Sequence, residues 1–161
     1  MTVLRTTPDT EARTLTVVAE FAASPSRVWQ LWSDPRQLER WWGPPTWPAT
    51  FVEHELVPGG SARYFMTGPE GEQAHGWWKF LSVEEPRSLK LEDGFADEHG
   101  QPSPEMPTTR MQMQLAEVGA GTQMTLVSRF ASVEQMEQMV SMGMVEGLTQ
   151  ALGQIDEILA A

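Results

Sequence analysis

The chain has 161 residues, of which 40% are hydrophobic and 20% are charged. This composition predicts one folded domain over residues 1–161, with its core from about residue 13 to residue 160. The 22 acidic and 11 basic residues give a formal net charge of -11, which disfavours binding to phosphate backbones and anionic lipid surfaces. We therefore expect neither nucleic acid nor a membrane surface as a partner.

The start of the chain and its apolar segments predict a cytoplasmic protein. Residues 1–5 have neither the basic flank nor the apolar run of a signal peptide. No apolar stretch approaches the roughly 20 residues that span a bilayer. Because the chain has no cysteine, disulfides, thiolate nucleophiles and cysteine-ligated metals are excluded.

The first third of the chain predicts one strand followed by two short helices. Apolar side chains recur at every second position of residues 13–21, which is typical of a half-buried strand. Ser24 suits a helix N-cap and Pro25 suits the first helical position, so a short helix is predicted up to residues 33–35. A second short helix over residues 35–40 leads into the doublet Trp41-Trp42 and a stiff turn.

The middle of the chain predicts an antiparallel meander. Alternating patterns and turn residues predict six strands, at residues 50–57, 61–67, 74–83, 88–95, 110–118 and 122–130. A tight hairpin is expected at residues 119–121. The loop over residues 96–109 contains three prolines and is typical of a lid or rim.

The end of the chain predicts one long amphipathic helix over residues 132–159, with Ser132 as its cap. Gly143, Gly147 and Gly153 lie within this pattern. Since each glycine costs about 1 kcal/mol in a helix relative to alanine, we expect a compensation: close packing, a bend, or room for a ligand. The fold class is therefore α+β, with a curved sheet of about six to seven strands wrapped around a long C-terminal helix.

Several short motifs, in their order along the chain, carry a family resemblance. They are Ser24-Pro25-Ser26-Arg27-Val28-Trp29, Trp41-Trp42-Gly43-Pro44, Pro58-Gly59-Gly60, Pro86-Arg87-Ser88-Leu89, Gly121-Thr122-Gln123-Met124-Thr125-Leu126 and Gly147-Leu148. With the order of elements, they resemble the START-like (SRPBCC) superfamily, and most of all the branch named after the activator of the heat-shock protein 90 ATPase. The resemblance covers the chain from about residue 14 to its end. It implies a helix-grip fold with a hydrophobic cavity between the sheet and the long helix, but no single shared activity.

The aromatic residues and methionines predict which side chains line that cavity. The chain has seven tryptophans and ten methionines, and methionines alternate with polar residues in the late strands, which would give an adaptable apolar wall. A methionine-rich solid core is an equal alternative. The predicted ligand-binding residues are Trp42, Tyr64, Trp78, Phe80, Phe95, Met111, Met113, Met124, Met144 and Leu148. Trp78 is chosen over Trp77 because strand alternation places Lys79 outward together with Trp77, and a bulge would reverse this choice.

Two polar residues, His54 and Asp93, are predicted to point towards the same interior. For His54, a core histidine satisfied by one hydrogen bond is favoured over catalysis. A buried Asp93 carboxylate would have a raised pKa unless paired, with Arg63 or Arg110 as candidate partners. The three histidines show no metal-ligand spacing, and no nucleophile or dinucleotide motif is present, so we expect no metal, no cofactor and no assigned catalytic residue.

Three functions of different class follow. The first is a binding protein that encloses a small hydrophobic or aromatic molecule. The second is a polyketide cyclase or aromatase-like enzyme, which needs two convergent polar groups in the cavity, drawn from His54, Asp93 or Tyr64. The third is a chaperone-binding or partner-binding module, which a large exposed apolar patch around Trp41 and Trp47 would support. Homodimerisation is compatible with all three.

Overall fold

A single curved antiparallel sheet of eight strands frames the protein. The structure is a computed structural model that describes residues 3–160. The strands are β1 (Val3–Asp9), β2 (Thr14–Phe21), β3 (Ala49–His54), β4 (Ser61–Thr67), β5 (Gln73–Glu84), β6 (Ser88–Ala96), β7 (Thr109–Val118) and β8 (Gly121–Phe130). The helices are α1 (Pro25–Ser33), α2 (Pro35–Leu38), α3 (Val133–Ser141), α4 (Met144–Leu152) and α5 (Ile155–Ala160). The strands follow the order β1-β2-β8-β7-β6-β5-β4-β3.

The α+β class and the helix-grip arrangement are confirmed. The predicted strands each have a counterpart, and the two-residue turn between β7 and β8 lies where the glycines indicate a hairpin. Ser24 caps α1 by accepting a hydrogen bond from the Arg27 backbone N–H, with Pro25 at the start of the helix. Short local motifs such as these are set by neighbouring residues, which is why the sequence predicts them well.

Strand β1 is not predicted by the sequence pattern, in which the first strand begins at residue 13. It pairs with β2 at one edge of the sheet, and Pro8 lies opposite Leu15. Proline has no N–H to donate and is tolerated on edge strands. The segment also lacks an alternating apolar face, so periodicity does not reveal it.

The C-terminal helical region is interrupted twice. Helix α3 ends before Met142 and Gly143, and α4 ends before Gly153. Gly143 has a φ of 91°, a left-handed conformation that favours glycine. Of the compensations expected for the glycines, a bend is therefore what Gly143 provides, between the end of α3 and the start of α4.

Tryptophans dominate the main core, which lies between the concave face of the sheet and helices α1, α2, α4 and α5. The rings of Trp32 and Trp41 meet edge to face with centroids 4.8 Å apart, as do those of Trp42 and Trp78. Edge-to-face pairs of this kind add to the stabilisation from burial alone. A second, smaller cluster under α3 contains Leu15, Phe130 and Met136.

Candidate ligand cavity

A cavity of about 300 Å³ lies between the sheet and the bend that joins α3 to α4. Its size is at the lower end of the range for small-molecule sites. Strands β4, β6 and β7 form its floor, α4 and the end of α3 cover it, and the turn after α2 closes one side. The lining residues are Trp42, Gly43, Pro44, Tyr64, Met66, Asp93, Phe95, Thr109, Met111, Met139, Met142, Gly143, Met144, Gly147, Leu148 and Ala151.

Local backbone requirements fix the turn that carries Trp42. Gly43 has a φ of 99°, and a Cβ at this position would collide with the backbone oxygen of Trp47. The side chain of Gln154, just beyond α4, donates to the Gly43 carbonyl at 2.8 Å and the Trp41 carbonyl at 3.3 Å. The turn is thereby tied to the helical end of the chain, and the Trp42 ring is held against the cavity.

Five of the ten methionines line the cavity: Met66, Met111, Met139, Met142 and Met144. They come from two strands, from α3 and α4, and from the bend. Methionine is unbranched and polarisable, so such a wall can adapt to ligands of different shape. Met142 is 55% exposed, which places it at the opening of the cavity.

The polar feature of the floor is a contact between Tyr64 and Asp93. The Tyr64 hydroxyl donates to Asp93 Oδ1 at 3.0 Å. Tyr64 lies on β4 and Asp93 on β6, so the phenol must cross the intervening strand β5. It crosses at Gly76, where a Cβ would overlap the Tyr64 ring. Glycine at this strand position is therefore what allows the two polar groups to meet.

The environment of this pair changes both pKa values. Burial raises the pKa of Asp93 to about 7, against the opposing effect of the hydrogen bonds that it accepts. Burial, followed by the negative charge of Asp93, raises the pKa of Tyr64 well above its ordinary value. Near neutral pH, Tyr64 is thus a neutral donor, while Asp93 exists in both protonation states.

Two indole N–H groups approach the Tyr64–Asp93 contact, that of Trp42 from the lining of the cavity and that of Trp78 from the packed core. The N–H groups of Trp42 and Trp78 lie near enough to Tyr64 to oppose the rise in its pKa. Neither has a hydrogen-bond partner of acceptable geometry within residues 3–160. Trp42 is only 6% exposed, so its N–H is a buried donor without a full hydrogen bond.

The predicted binding residues divide into two groups in the structure. Those that line the cavity are Trp42, Tyr64, Asp93, Phe95, Met111, Met144 and Leu148. Those that lie in the packed core instead are Trp78, Phe80, Met113 and Met124, each with at most 1% of its surface exposed. They share the concave face of the sheet with the first group, but α1 and the tryptophans cover that part of the face. Alternation predicts the face on which a side chain lies, and not which part of that face is left uncovered.

His54 also lies away from the cavity. Its Nε2 contacts the Trp32 carbonyl at 3.0 Å, and its ring packs against Phe51 and Phe80. Burial lowers the pKa of His54, with the Trp32 carbonyl acting in the opposite direction. These contacts are those of a core histidine held by one hydrogen bond.

The arginines suggested as partners of Asp93 lie on the opposite face of the sheet. Arg63 pairs with Glu53 at 2.8 Å. Arg110 is exposed on the convex face, opposite Glu92 in the sheet register. Tyr64 is instead the partner of Asp93, because strand alternation directs both arginines to the other face.

Trp41 does not contribute to an exposed apolar patch. It is fully buried, and its N–H donates to the Leu31 carbonyl at 2.9 Å.

Within the described residues, no three histidine or acidic side chains are gathered as metal ligands. No helix in that part of the chain is long and apolar enough to span a bilayer.

Sequence patterns miss several lining residues. Thr109 is the first residue of β7 and Pro44 lies in the turn after α2, while Met139 and Met142 lie just before the α3–α4 bend. Gly147 lines the cavity because it has no side chain, and a Cβ there would meet nothing within 4 Å. The sequence feature that indicates this space is the set of glycines in the predicted C-terminal helix, Gly143, Gly147 and Gly153.

Solved structures with the same fold share much of this sequence. The chain is 52% identical to a protein from Arthrobacter aurescens, with 99% of this chain and 92% of that chain covered and a TM-score of 0.95. It is 46% identical to protein Ms6760 from Mycobacterium smegmatis, with coverages of 98% and 96% and a TM-score of 0.91. CalU16 from Micromonospora echinospora shares 22% identity over 96% of this chain and 82% of that chain, with a TM-score of 0.57, and supports the fold alone.

The sequence profile of one family covers most of the chain. It is described as "Activator of Hsp90 ATPase homolog 1-like protein" and matches residues 22–160. No protein with a curated functional description matches significantly. The chain belongs to the Activator of Hsp90 ATPase homolog 1-like family, within the START-like fold.

Proposed function

We propose that the protein binds a small hydrophobic or aromatic molecule in the cavity under the α3–α4 bend. The observation that carries this proposal is the lining itself: five methionines, Trp42 and Phe95 surround about 300 Å³ of space. A concave, mainly apolar pocket with a few convergent polar groups is the usual form of a small-molecule site. The position of the cavity between sheet and helix supports the same function.

Tryptophan fluorescence and native mass spectrometry test this proposal. Gently purified protein is examined for a co-purified molecule, then titrated with fatty acids, flavonoids, sterols and aromatic polyketides. Because Trp42 forms part of the wall, a bound aromatic molecule should quench its emission in a saturable way. The absence of a co-purified molecule together with no saturable response to any of these compounds would contradict the proposal.

A cavity-filling variant supplies the specific control. Gly147→Leu places a side chain into the open space at this position and should abolish binding while the protein stays folded. Gln150→Leu adds the same side chain on the exposed side of α4 and should bind as the wild type does. Equal binding by both variants would show that the ligand lies elsewhere.

The contact between Tyr64 and Asp93 favours one second function, acid-base catalysis of the cyclase or aromatase kind. Their oxygens are 3.0 Å apart, and a carboxyl group with a pKa of about 7 is suited to proton transfer at neutral pH. Once a substrate is identified, Asp93→Asn and Tyr64→Phe should lower kcat strongly while binding persists. Unchanged turnover in both variants would exclude this function.

A further inference from the structure

The side chain that can carry a charge inside the cavity near neutral pH is a carboxylate. Within the residues that the structure describes, the lining includes Asp93 but no lysine, arginine or histidine. Tyr64, the other titratable group of the lining, stays neutral because burial raises its pKa well above its ordinary value. Arg63 and Arg110 lie on the other face of the sheet. An anionic ligand would therefore meet a like charge in the cavity and no opposite one.

Asp93 is surrounded by uncharged neighbours from every element packed against it. Trp78 on β5 and Thr109 on β7 lie opposite Asp93 in the sheet register. Tyr64 donates to it from β4. The parts of α3 and α4 that line the cavity carry no charged side chain. No neighbouring cation thus compensates the charge of Asp93.

The hydrogen-bonding groups around Asp93 serve one another. The carboxyl group accepts from the Tyr64 hydroxyl at 3.0 Å. The N–H groups of Trp78 and Gly94 also approach it, and they oppose the effect of burial on its pKa. The Trp42 N–H is directed in turn at the Tyr64 hydroxyl. What Asp93 contributes to ligand choice is therefore its charge, since these donors already occupy its oxygens.

The opening of the cavity is also acidic. The exposed Met142 and the adjoining Gly143 line this opening. A carboxylate oxygen of Glu146 lies 4.0 Å from the position that a Cβ on Gly143 would take. An acidic ligand would therefore meet Asp93 if its carboxylate pointed inward, and Glu146 if it pointed outward.

Two like charges repel strongly inside a protein. A separation of roughly 6 Å and an effective dielectric constant of about 20 correspond to about a hundredfold loss of affinity. We infer that Asp93 is a specificity-determining residue that excludes anionic molecules, so that the ligand is a hydrophobic molecule without a carboxylate or phosphate group. This inference rests on the proposed function and removes fatty acids and aromatic acids from its ligand class.

Isothermal titration calorimetry with 2-naphthamide and 2-naphthoate tests the inference. The two probes have nearly the same shape and differ in charge. Loss of hydration disfavours a buried carboxylate in any apolar cavity, so the decisive quantity is how the ratio of the two affinities, amide over carboxylate, depends on Asp93. A third probe, 2-methylnaphthalene, has no polar group and reports apolar binding independently.

The wild-type protein supplies the first comparison. Burial raises the pKa of Asp93 to about 7, so this residue is mainly neutral at pH 5.5 and mainly charged at pH 8.5. The probe 2-naphthoate is ionised at both values, because an ordinary carboxylic acid has a pKa of about 4. The affinity ratio should therefore rise by on the order of tenfold or more between pH 5.5 and pH 8.5.

Two variants supply the second comparison. Asp93→Asn removes the charge with little change in shape, and its amide oxygen can accept from Tyr64. Its affinity ratio at pH 8.5 should be lower than that of the wild type by on the order of tenfold or more, and should not depend on pH. Glu92→Gln changes a carboxylate that accepts from Thr108 and lies outside the cavity, and should retain the wild-type ratio. Circular dichroism confirms that each variant is folded, and if Asp93→Asn does not fold, the wild-type comparison decides.

The outcomes separate the inference from the proposed function. A wild-type ratio that does not change with pH, an Asp93→Asn variant with the wild-type ratio at pH 8.5, or a folded Asp93→Asn variant that still binds no 2-naphthoate would overturn the role of Asp93 and leave apolar binding intact. Binding of neither 2-methylnaphthalene nor 2-naphthamide would contradict the proposed function itself. A ratio that rises with pH in the wild type and in Glu92→Gln, but not in Asp93→Asn, is the expected result.

Discussion

At the residue scale, the pairing of Tyr64 and Asp93 depends on a third residue that carries no side chain. Gly76 leaves the space through which the phenol reaches across β5. The sequence predicts that Asp93 points inward, because alternation within β6 is regular. It does not predict Tyr64 as the partner, since that contact joins two strands that are not neighbours in the sheet.

The raised pKa of Asp93 makes stability depend on pH. Burial raises the pKa of this carboxyl group from 3.8, its ordinary value in an unfolded chain, to about 7 in the folded protein. Between these values the folded state holds a proton that the unfolded state has released, so the contribution of Asp93 to the free energy of unfolding falls as pH rises. Asp93→Asn removes this contribution and keeps an acceptor for Tyr64.

Urea unfolding of both proteins at pH 4 and pH 8 measures the effect. Relative to the wild type, Asp93→Asn should be more stable at pH 8 than at pH 4, by up to about 4 kcal/mol. Glu92→Gln, whose carboxyl group lies outside the cavity, should show a smaller pH-dependent difference. A stability difference for Asp93→Asn that does not change with pH would show that this carboxyl group titrates normally.

Trp78 is a core residue at the junction of sheet and helices. It is 1% exposed, and its ring contacts those of Trp32, Trp42 and Phe80. Trp78→Ala should lower the free energy of unfolding by roughly 3 to 5 kcal/mol, since it removes a large buried side chain. Chemical denaturation measures this loss, and a variant that unfolds at the same denaturant concentration as the wild type would contradict the placement of the ring.

At the element scale, the strands with strong alternation are predicted within a few residues, whereas the edge strand and the helical break are not. β1 contains Pro8 and has no apolar face of its own. The bend at Gly143 depends on a backbone angle that residue periodicity does not report. The same limits apply to the cavity, because residues around this bend form part of its lining.

Two glycine variants test the helical break. Gly143→Ala forces alanine into a left-handed conformation and should destabilise the protein by about 1 to 2 kcal/mol. Gly147→Ala adds a Cβ within α4 where there is open space and should stabilise it by up to about 1 kcal/mol. Thermal unfolding of both variants gives the comparison. If Gly143→Ala is as stable as Gly147→Ala, the region forms one continuous helix.

At the scale of the whole molecule, the protein combines a tryptophan-rich core with a methionine-lined cavity. The fully buried tryptophans lie on the side of α1 and α2, and the cavity lies on the side of the α3–α4 bend. The two regions share the concave face of one sheet, and Trp42 contacts both. The Trp42 wall of the cavity is thereby packed against the core, while the methionines of the floor and of the helical side can adapt to a ligand.

Methionine-methyl NMR tests the central claim, occupation of this cavity by an apolar molecule, most directly. In protein labelled with ¹³C at the methionine methyl groups, a small aromatic molecule such as 2-naphthol is added as the probe. It should shift the resonances of the five cavity methionines. Met113 and Met124, which are buried in the core and do not line the cavity, should shift much less. Saturable shifts confined to the cavity methionines are the predicted result. No shift, or shifts confined to methionines outside the cavity, would contradict the account.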